Sequence, residues 1–158
     1  MDQLALGAVT MTHGKAGLAA GTTTTITIAN TIDFSIKGKA YQKAAASNAA
    51  TPTTDRQTGA AFTALAASRA CIFAVCLDSD GTIRVYQGPI VTLDASDNYS
   101  VAPEPPGIKD TDCPIGAIVA KNISTGSAWT FGSSNWTATG MSDTFVDLAT
   151  MPDRPFTS

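Results

Sequence analysis

The sequence predicts an all-β protein: a single compact β-sandwich or barrel, with a jelly-roll arrangement among the options, and an extended N-terminal arm. Short runs in which β-branched or aromatic residues alternate with polar ones recur along the chain, as expected of half-buried strands. Turn-forming glycine, asparagine, aspartate and proline separate these runs. Almost no stretch has the period of an amphipathic helix. Glu104 is the only glutamate, and because aspartate favours turns over helices, the acidic residues also indicate bends.

The chain divides by composition into three segments. Its 158 residues suffice for one domain that hides roughly 70% of its unfolded surface. Residues 1–21 are rich in glycine and alanine with scattered apolar positions, and we interpret them as the extended arm. We assign residues 22–150 to the β-rich domain and the proline-punctuated residues 151–158 to a C-terminal tail.

The first half of the domain predicts one hairpin and one long loop. Threonine and isoleucine alternate up to residue 28, and an apolar alternation resumes over residues 32–36, so these two strands are expected to pair. The alanines within residues 38–61 are compatible with one helical turn. However, Thr51-Pro52 and the turn formers after it favour a long surface loop, and such loops usually have a function or contact a partner.

The second half predicts a buried hairpin followed by shorter strands. The run from Cys71 to Leu77 is almost wholly apolar, which is typical of a strand buried on both faces. Asp78-Ser-Asp-Gly81 predicts the turn into a second strand that ends at Gln87. The proline-rich stretch that starts at Val101 must be extended. Further short strands are expected at residues 90–93, 115–123, 128–131 and 144–148.

Charge and composition narrow the classes of partner. Charged residues make up 15% of the chain, against roughly 25% in an average soluble domain. The net charge is −3, which argues against a nucleic-acid partner, because cations provide most of the affinity for phosphates. No apolar run is long enough for a signal sequence or a membrane span. We therefore expect no membrane partner and production in a reducing cytoplasm.

The sequence offers few residues for chemistry. His13 is the only histidine, so histidine-based catalytic triads and multi-histidine metal sites are excluded. Asp78 and Asp80 resemble part of a calcium loop without its remaining ligands, and a turn is favoured. Cys71, Cys76 and Cys113 match no disulfide or zinc spacing, which indicates buried thiols. We expect a non-enzymatic protein with no catalytic residues, no cofactor and no metal.

The aromatic residues near the C-terminus allow two interpretations. Trp129, Phe131 and Trp136 lie close together in a chain with few aromatics. They form either a platform on which sugars stack or, as is more common, the closed end of a core. A sugar platform would make the chain a receptor- or glycan-binding module.

A set of short motifs carries a resemblance to a known class of protein. The motifs cover most of the chain from about residue 35 onward: Asn48-Ala-Ala-Thr-Pro-Thr-Thr-Asp55, Thr58-Gly-Ala-Ala-Phe62, Cys71-Ile-Phe73, Asp78-Ser-Asp-Gly81, Gly88, Pro103-Glu-Pro-Pro106, Cys113-Pro-Ile-Gly116, Trp129-Thr-Phe-Gly132, Asn135-Trp136 and Pro152-Asp-Arg-Pro155. In this combination the sequence resembles the small virion proteins of tailed bacteriophages that decorate, or cement, the outside of the capsid.

The resemblance implies a function and a partner. Proteins of this class are β-rich symmetric oligomers that sit on the capsid lattice and grip neighbours with an extended arm. The resemblance also implies the major capsid protein as partner and the capsid surface of the virion as location, after production in the cytoplasm of a bacterial host. In a phage, the alternative receptor- or glycan-binding module would belong to a tail fibre or spike. We expect a homo-oligomer, with a trimer as the working choice, because closed symmetry is usual. The expected partner contacts lie in the arm and in the loop: Leu4, Leu6, Val9, Met11, Tyr41, Thr51 and Pro52.

Overall fold

Eleven β-strands make up the ordered secondary structure of residues 9–150, the part of the chain that this computed structural model describes. They are β1 (Met11–Thr12), β2 (Leu18–Ala20), β3 (Ile26–Ile28), β4 (Ile32–Ile36), β5 (Lys39–Lys43), β6 (Ala46–Ala49), β7 (Arg69–Leu77), β8 (Ile83–Gln87), β9 (Val91–Thr92), β10 (Cys113–Asn122) and β11 (Met141–Asp147). The predicted all-β fold class is confirmed. Within this range no helix is long and apolar enough to cross a membrane.

The strands form three antiparallel sheets. The largest, here called the central sheet, has the order β11-β10-β7-β8, with β9 paired to the start of β7. A second sheet has the order β1-β4-β5 and a third the order β2-β3-β6. The main core takes side chains from all three sheets, including Ile28, Phe34, Phe73 and Ile118. One continuous core therefore unites them.

The other face of the central sheet carries a smaller core. Ala74 and Cys76 of β7 lie there with Tyr86 of β8, and Ile108 packs against them. The chain that covers this face passes so close to Gly88 that a β-carbon there would lie 2.7 Å from the carbonyl oxygen of Glu104. The predictions of a doubly buried β7 and of an extended proline-rich segment after it agree with this arrangement.

The turn between β7 and β8 is also confirmed. Leu77 pairs with Ile83, so the predicted Asp78–Gly81 turn joins the two strands. The predicted strands near residues 90–93, 115–123 and 144–148 correspond to β9, β10 and β11. By contrast, the strand predicted at residues 128–131 is wrong, because Trp129 makes only an isolated bridge to Leu65.

The hairpin predicted between residues 22–28 and 32–36 is wrong. β3 pairs with β2 and β6, whereas β4 pairs with β1 and β5. Asn30, between the two strands, donates from its backbone N–H to the Ala16 carbonyl and from its side-chain amide to the Lys15 carbonyl, both at 3.1 Å. The connection thus binds an earlier part of the chain and directs the two strands into different sheets.

The long surface loop predicted for residues 38–61 is wrong in its first half, which contains β5 and β6. Lys37 and Gly38 both have positive φ angles, of 49° and 79°, the geometry that two-residue hairpin turns favour. β5 and β6 lie at sheet edges and are largely exposed. Because they bury few side chains, they lack the apolar alternation by which strands are recognised.

The N-terminal segment joins the sheets before the boundary predicted at residue 21. β1 and β2 both lie within residues 1–21 and pair with β4 and β3. Thr12 also donates from its backbone N–H to the Ala149 carbonyl and from its hydroxyl to the Leu148 carbonyl, both at 3.0 Å. Residues 11–20 therefore belong to the body. Residues 1–8 of the predicted arm and the tail 151–158 lie outside the described residues.

Candidate functional site

The densest polar cluster surrounds the carboxylate of Asp112, which is fully buried. Its Oδ2 accepts hydrogen bonds from the Tyr86 hydroxyl at 2.6 Å and from the Arg56 Nε at 2.9 Å. Its Oδ1 accepts from the Thr111 hydroxyl at 3.0 Å. Both oxygens are thus bound within the protein, and the cluster ties the segment before β10 to β8 and to the loop that carries Arg56.

The protonation states of this cluster are those of a structural lock. Burial raises the pKa of Asp112, but hydrogen bonds from Arg56, Tyr86 and Thr111 outweigh it, and the pKa lies below its ordinary value. Burial, with the bond to Asp112, raises the pKa of Tyr86. The hydrogen bond to Asp112 raises the pKa of Arg56. General acid–base catalysis requires a group that exchanges protons near neutral pH. None of these three groups does so.

The aspartates of the β7–β8 turn are also engaged in structure. Asp78 Oδ1 accepts from the backbone N–H groups of Asp80 and Thr82, at 3.0 and 2.9 Å, and its Oδ2 accepts from Arg84 Nε at 2.8 Å. These bonds are those of a turn, in line with the turn interpretation. In residues 9–150 no three side chains of His, Cys, Asp or Glu are grouped as a metal site would need.

The cysteines are buried free thiols, as predicted. Burial raises the pKa of Cys71 and of Cys113 to about 12, and that of Cys76 well above its ordinary value. Cys71 faces the main core and Cys76 the smaller one, because residues five positions apart on one strand point to opposite faces of the sheet. Because the thiolate is the reactive form, these cysteines are poor nucleophiles.

The two tryptophans close the main core. Trp129 is 0% and Trp136 5% exposed, and their ring centroids are 5.2 Å apart. The indole N–H of Trp136 donates to the Thr25 carbonyl at 2.7 Å. Both rings make edge-to-face contacts with Phe131. Because both are buried, this conformation presents no tryptophan surface on which a sugar could stack.

The expected partner contacts lie in separate places. Val9, 39% exposed, and the half-buried Met11 lie beside β4, and Tyr41 stacks on Phe34 in the same sheet at 5.5 Å. Thr51 and Pro52 are half-buried in the loop after β6. Leu4 and Leu6 fall outside the described residues. The structure thus brings Val9, Met11 and Tyr41 into one sheet and leaves the loop pair elsewhere.

One edge of the central sheet, that of β8, is covered by the loop of residues 54–63. The Arg56 N–H donates to the Val85 carbonyl at 2.9 Å, and the Gln87 N–H donates to the Asp55 carboxylate at 3.1 Å. The side chain of Gln87 adds two bonds of 2.8 Å to the backbone of Thr63. The loop thus takes the place of a neighbouring strand along Val85–Gln87 of this edge.

The opposite edge, that of β11, is open between Asp143 and Phe145. The backbone N–H of Leu148 donates to the Ile115 carbonyl, and the backbone N–H of Ile123 donates to the Gly140 carbonyl. Since bonded and non-bonded pairs alternate in an antiparallel ladder, the backbone groups of Asp143 and Phe145 point away from β10. Within residues 9–150 no hydrogen bond from another residue reaches them. We call these groups the open edge.

The open edge carries an unpaired acidic side chain. Asp143 alternates along β11 with exposed Ser142 and Thr144, and its neighbours on the same face, Met141 and Phe145, pack against the main core. Burial raises the pKa of Asp143, an effect that its own backbone N–H partly offsets. Among the described residues no cation lies within ion-pair distance of its carboxylate.

A groove adjoins the end of β11. It has a volume of about 520 Å3 and is lined by Met11, His13, Lys15, Asp147 and Leu148, among others. His13 is exposed there. The groove links one predicted contact residue, Met11, to the strand that bears the open edge.

Sequence reasoning identified a strand near residue 145 but not its open edge. Whether an edge is covered depends on loops remote in sequence, such as residues 54–63 at β8. One signal was present: the run Met-Ser-Asp-Thr-Phe-Val-Asp contains no lysine or proline, the residues with which proteins commonly protect edge strands.

Comparisons with known proteins add no relative. No protein-family model matches the chain, and no characterised protein and no solved structure matches it.

Proposed function

We propose that this chain is a non-enzymatic virion protein of a tailed bacteriophage that binds the outside of the capsid and stabilises the head. The observation that carries the proposal is the open edge: a β body in which residues 9–150 cover one edge of the central sheet and leave the other free is suited to bind another protein chain. The resemblance of the motifs to decoration proteins supplies the class of partner, the major capsid protein.

The polar groups of the described residues support binding over catalysis. The Asp112 and Asp78 carboxylates accept structural hydrogen bonds on both oxygens, and the cysteines are buried. The charge of −3 favours a protein partner over a nucleic acid. The proposal involves no cofactor, metal or membrane.

Stabilisation of the head would follow from mass action. A protein that binds the assembled shell and not its separated subunits shifts the equilibrium away from disassembly. At a free concentration 100 times the dissociation constant, each site contributes about 2.7 kcal/mol. Because a capsid carries many equivalent sites, modest binding at each one adds up. A trimeric form, which would match the threefold sites of a capsid lattice, would bind three subunits at once.

The test uses heads assembled without this protein. The purified chain is added at rising concentration to such heads and to heads of an unrelated phage, and bound copies are counted after sedimentation. We expect saturation at a copy number set by the lattice and a higher disruption temperature for the matching heads only. Absence of saturable binding to the matching heads would overturn the proposal.

The tail-fibre alternative has no specific observation in its favour. It relied on Trp129 and Trp136 as a sugar platform, and both are buried. Replacing either with alanine is expected to lower stability by about 3–5 kcal/mol, the usual cost of a large core cavity. Loss of sugar binding in a protein of unchanged stability would favour the alternative again.

A further inference from the structure

We propose that the open edge of β11 binds an extended segment of another protein that places a lysine or arginine opposite Asp143 and an apolar residue opposite Phe145. The inference deepens the proposed function, on which it rests for the identity of the partner. It names the binding surface and the chemistry of the segment that occupies it.

The backbone geometry defines the mode of binding. The N–H and C=O groups of Asp143 and Phe145 point outward and meet no other residue within the described part of the chain. Their spacing of two residues is the repeat at which a strand bonds to one neighbour. An added antiparallel strand would satisfy these groups with hydrogen bonds that do not depend on its sequence.

The charge of β11 selects among partners. The strand contains Asp143 and Asp147 and no cation, so pairing with β11 of a second copy would bring acidic strands side by side and supply no cation to Asp143. Like charges across a strand pair are destabilising. Asp143 has no cation partner among the described residues, and a partly buried carboxylate gains most from a cation that arrives with the partner.

The position of Asp143 also explains why the edge would be selective. An inward-pointing charge on an edge strand is a common protection against indiscriminate pairing. Here Asp143 lies between Met141 and Phe145 on the face that packs on the core. A segment without a cation would have to bury this carboxylate further without compensation. A segment with one would form an ion pair there.

The experiment uses two synthetic peptides and amide hydrogen exchange on the full chain. The basic peptide is Thr-Lys-Thr-Val-Thr-Lys-Thr, which reads the same in either direction, and its control replaces both lysines with glutamate. We expect the basic peptide to slow exchange at the amides of Asp143 and Phe145. The acidic peptide should leave both amides unchanged.

Two charge variants make the result specific. Asp143→Lys should weaken binding of the basic peptide at least about tenfold and improve that of the acidic one, since opposite charges set the preference. Asp143→Asn should weaken the basic peptide alone and serves as the variant if Asp143→Lys does not fold. Asp80→Lys makes the same charge change at an exposed turn and should have no effect.

Three results would overturn the inference. They are equal binding of both peptides, protection elsewhere than at β11, or protection at Asp143 and Phe145 already present in the peptide-free protein, as self-pairing would give. Binding of the variants to heads separates the two proposals. If Asp143→Lys saturates heads like the unchanged protein, the inference fails and the proposed function stands. If the basic peptide binds as expected and the heads are not bound, the inference stands and the proposed function fails.

Discussion

The two edges of the central sheet differ in how their outward backbone groups are bonded, although both belong to one continuous hydrogen-bonded sheet. At β8 the loop of residues 54–63 supplies donors and acceptors to the outward backbone groups, and the Arg56–Asp112 pair fixes that loop. At β11 the groups between Asp143 and Phe145 meet no such loop in the described residues. Covering an edge therefore requires dedicated residues: those at the β8 edge contribute to stability, whereas the proposed binding uses the β11 edge.

The largest effect is expected from removing Asp112, the centre of the polar cluster that fixes the loop covering the β8 edge. Asp112→Ala would remove the acceptor shared by Arg56, Tyr86 and Thr111 and leave the buried Tyr86 hydroxyl without its partner, which should lower the free energy of unfolding by about 2–4 kcal/mol. Its control is Asp110→Ala, whose ion pair with Lys37 is exposed and should contribute at most about 1 kcal/mol. Denaturant unfolding of both variants provides the measurement, and equal losses would contradict the assignment.

The lock should also make stability depend on acid. The pKa of Asp112 is lowered in the folded protein from its ordinary 3.8, so its contribution is complete above that value. The contribution is lost as the pH falls through the lower folded pKa. Unfolding free energies measured between pH 2 and pH 6 should therefore fall less steeply on acidification in Asp112→Asn than in the unchanged protein.

A smaller effect is expected when the β8 edge is uncovered. Asp55→Ala removes the acceptor of the Gln87 N–H and of three further donors in the loop, which should cost about 1–3 kcal/mol. The exchange rate of the Gln87 amide should then approach that of Phe145 at the open edge. Asp55→Asn keeps an acceptor oxygen and serves as the control. An unchanged Gln87 rate in Asp55→Ala would show that the loop is held in other ways.

The smallest effect is expected at the open edge itself. Because burial raises the pKa of Asp143, its ionised form costs folding free energy above that pKa, and the cost disappears when the group is protonated. Asp143→Asn should raise stability near pH 7 by a few tenths of a kcal/mol after solvent screening, with no gain near pH 3. Lower stability near pH 7 would mean that the carboxylate makes a favourable contact in the free protein.

The elements that the sequence predicted well are those with strong local signals. The apolar run ending at Leu77, the turn at Asp78 and the alternation after Gly81 specify β7 and β8 without reference to the rest of the chain. The class of the fold follows from many such runs. Trp129 and Trp136 are buried, which is the more common position of clustered aromatic residues.

The elements that it predicted wrongly depend on distant partners. β5 and β6 are exposed edge strands that owe their conformation to pairing with β4 and β3. The hairpin expected between β3 and β4 is prevented by bonds from Asn30 to residues 15 and 16. Whether the β11 edge is open depends on which distant segments of the chain lie beside it, and local sequence patterns carry no such information.

The bonds from Thr12 to Leu148 and Ala149 set the order in which the body can be completed. They join residues 136 and 137 positions apart, so they form only after residue 149 has left the ribosome. The entropy lost in closing such a long loop must be overcome before β1 gains its final contacts. We therefore expect slow folding, with β7 and β8 formed before β1 takes its place.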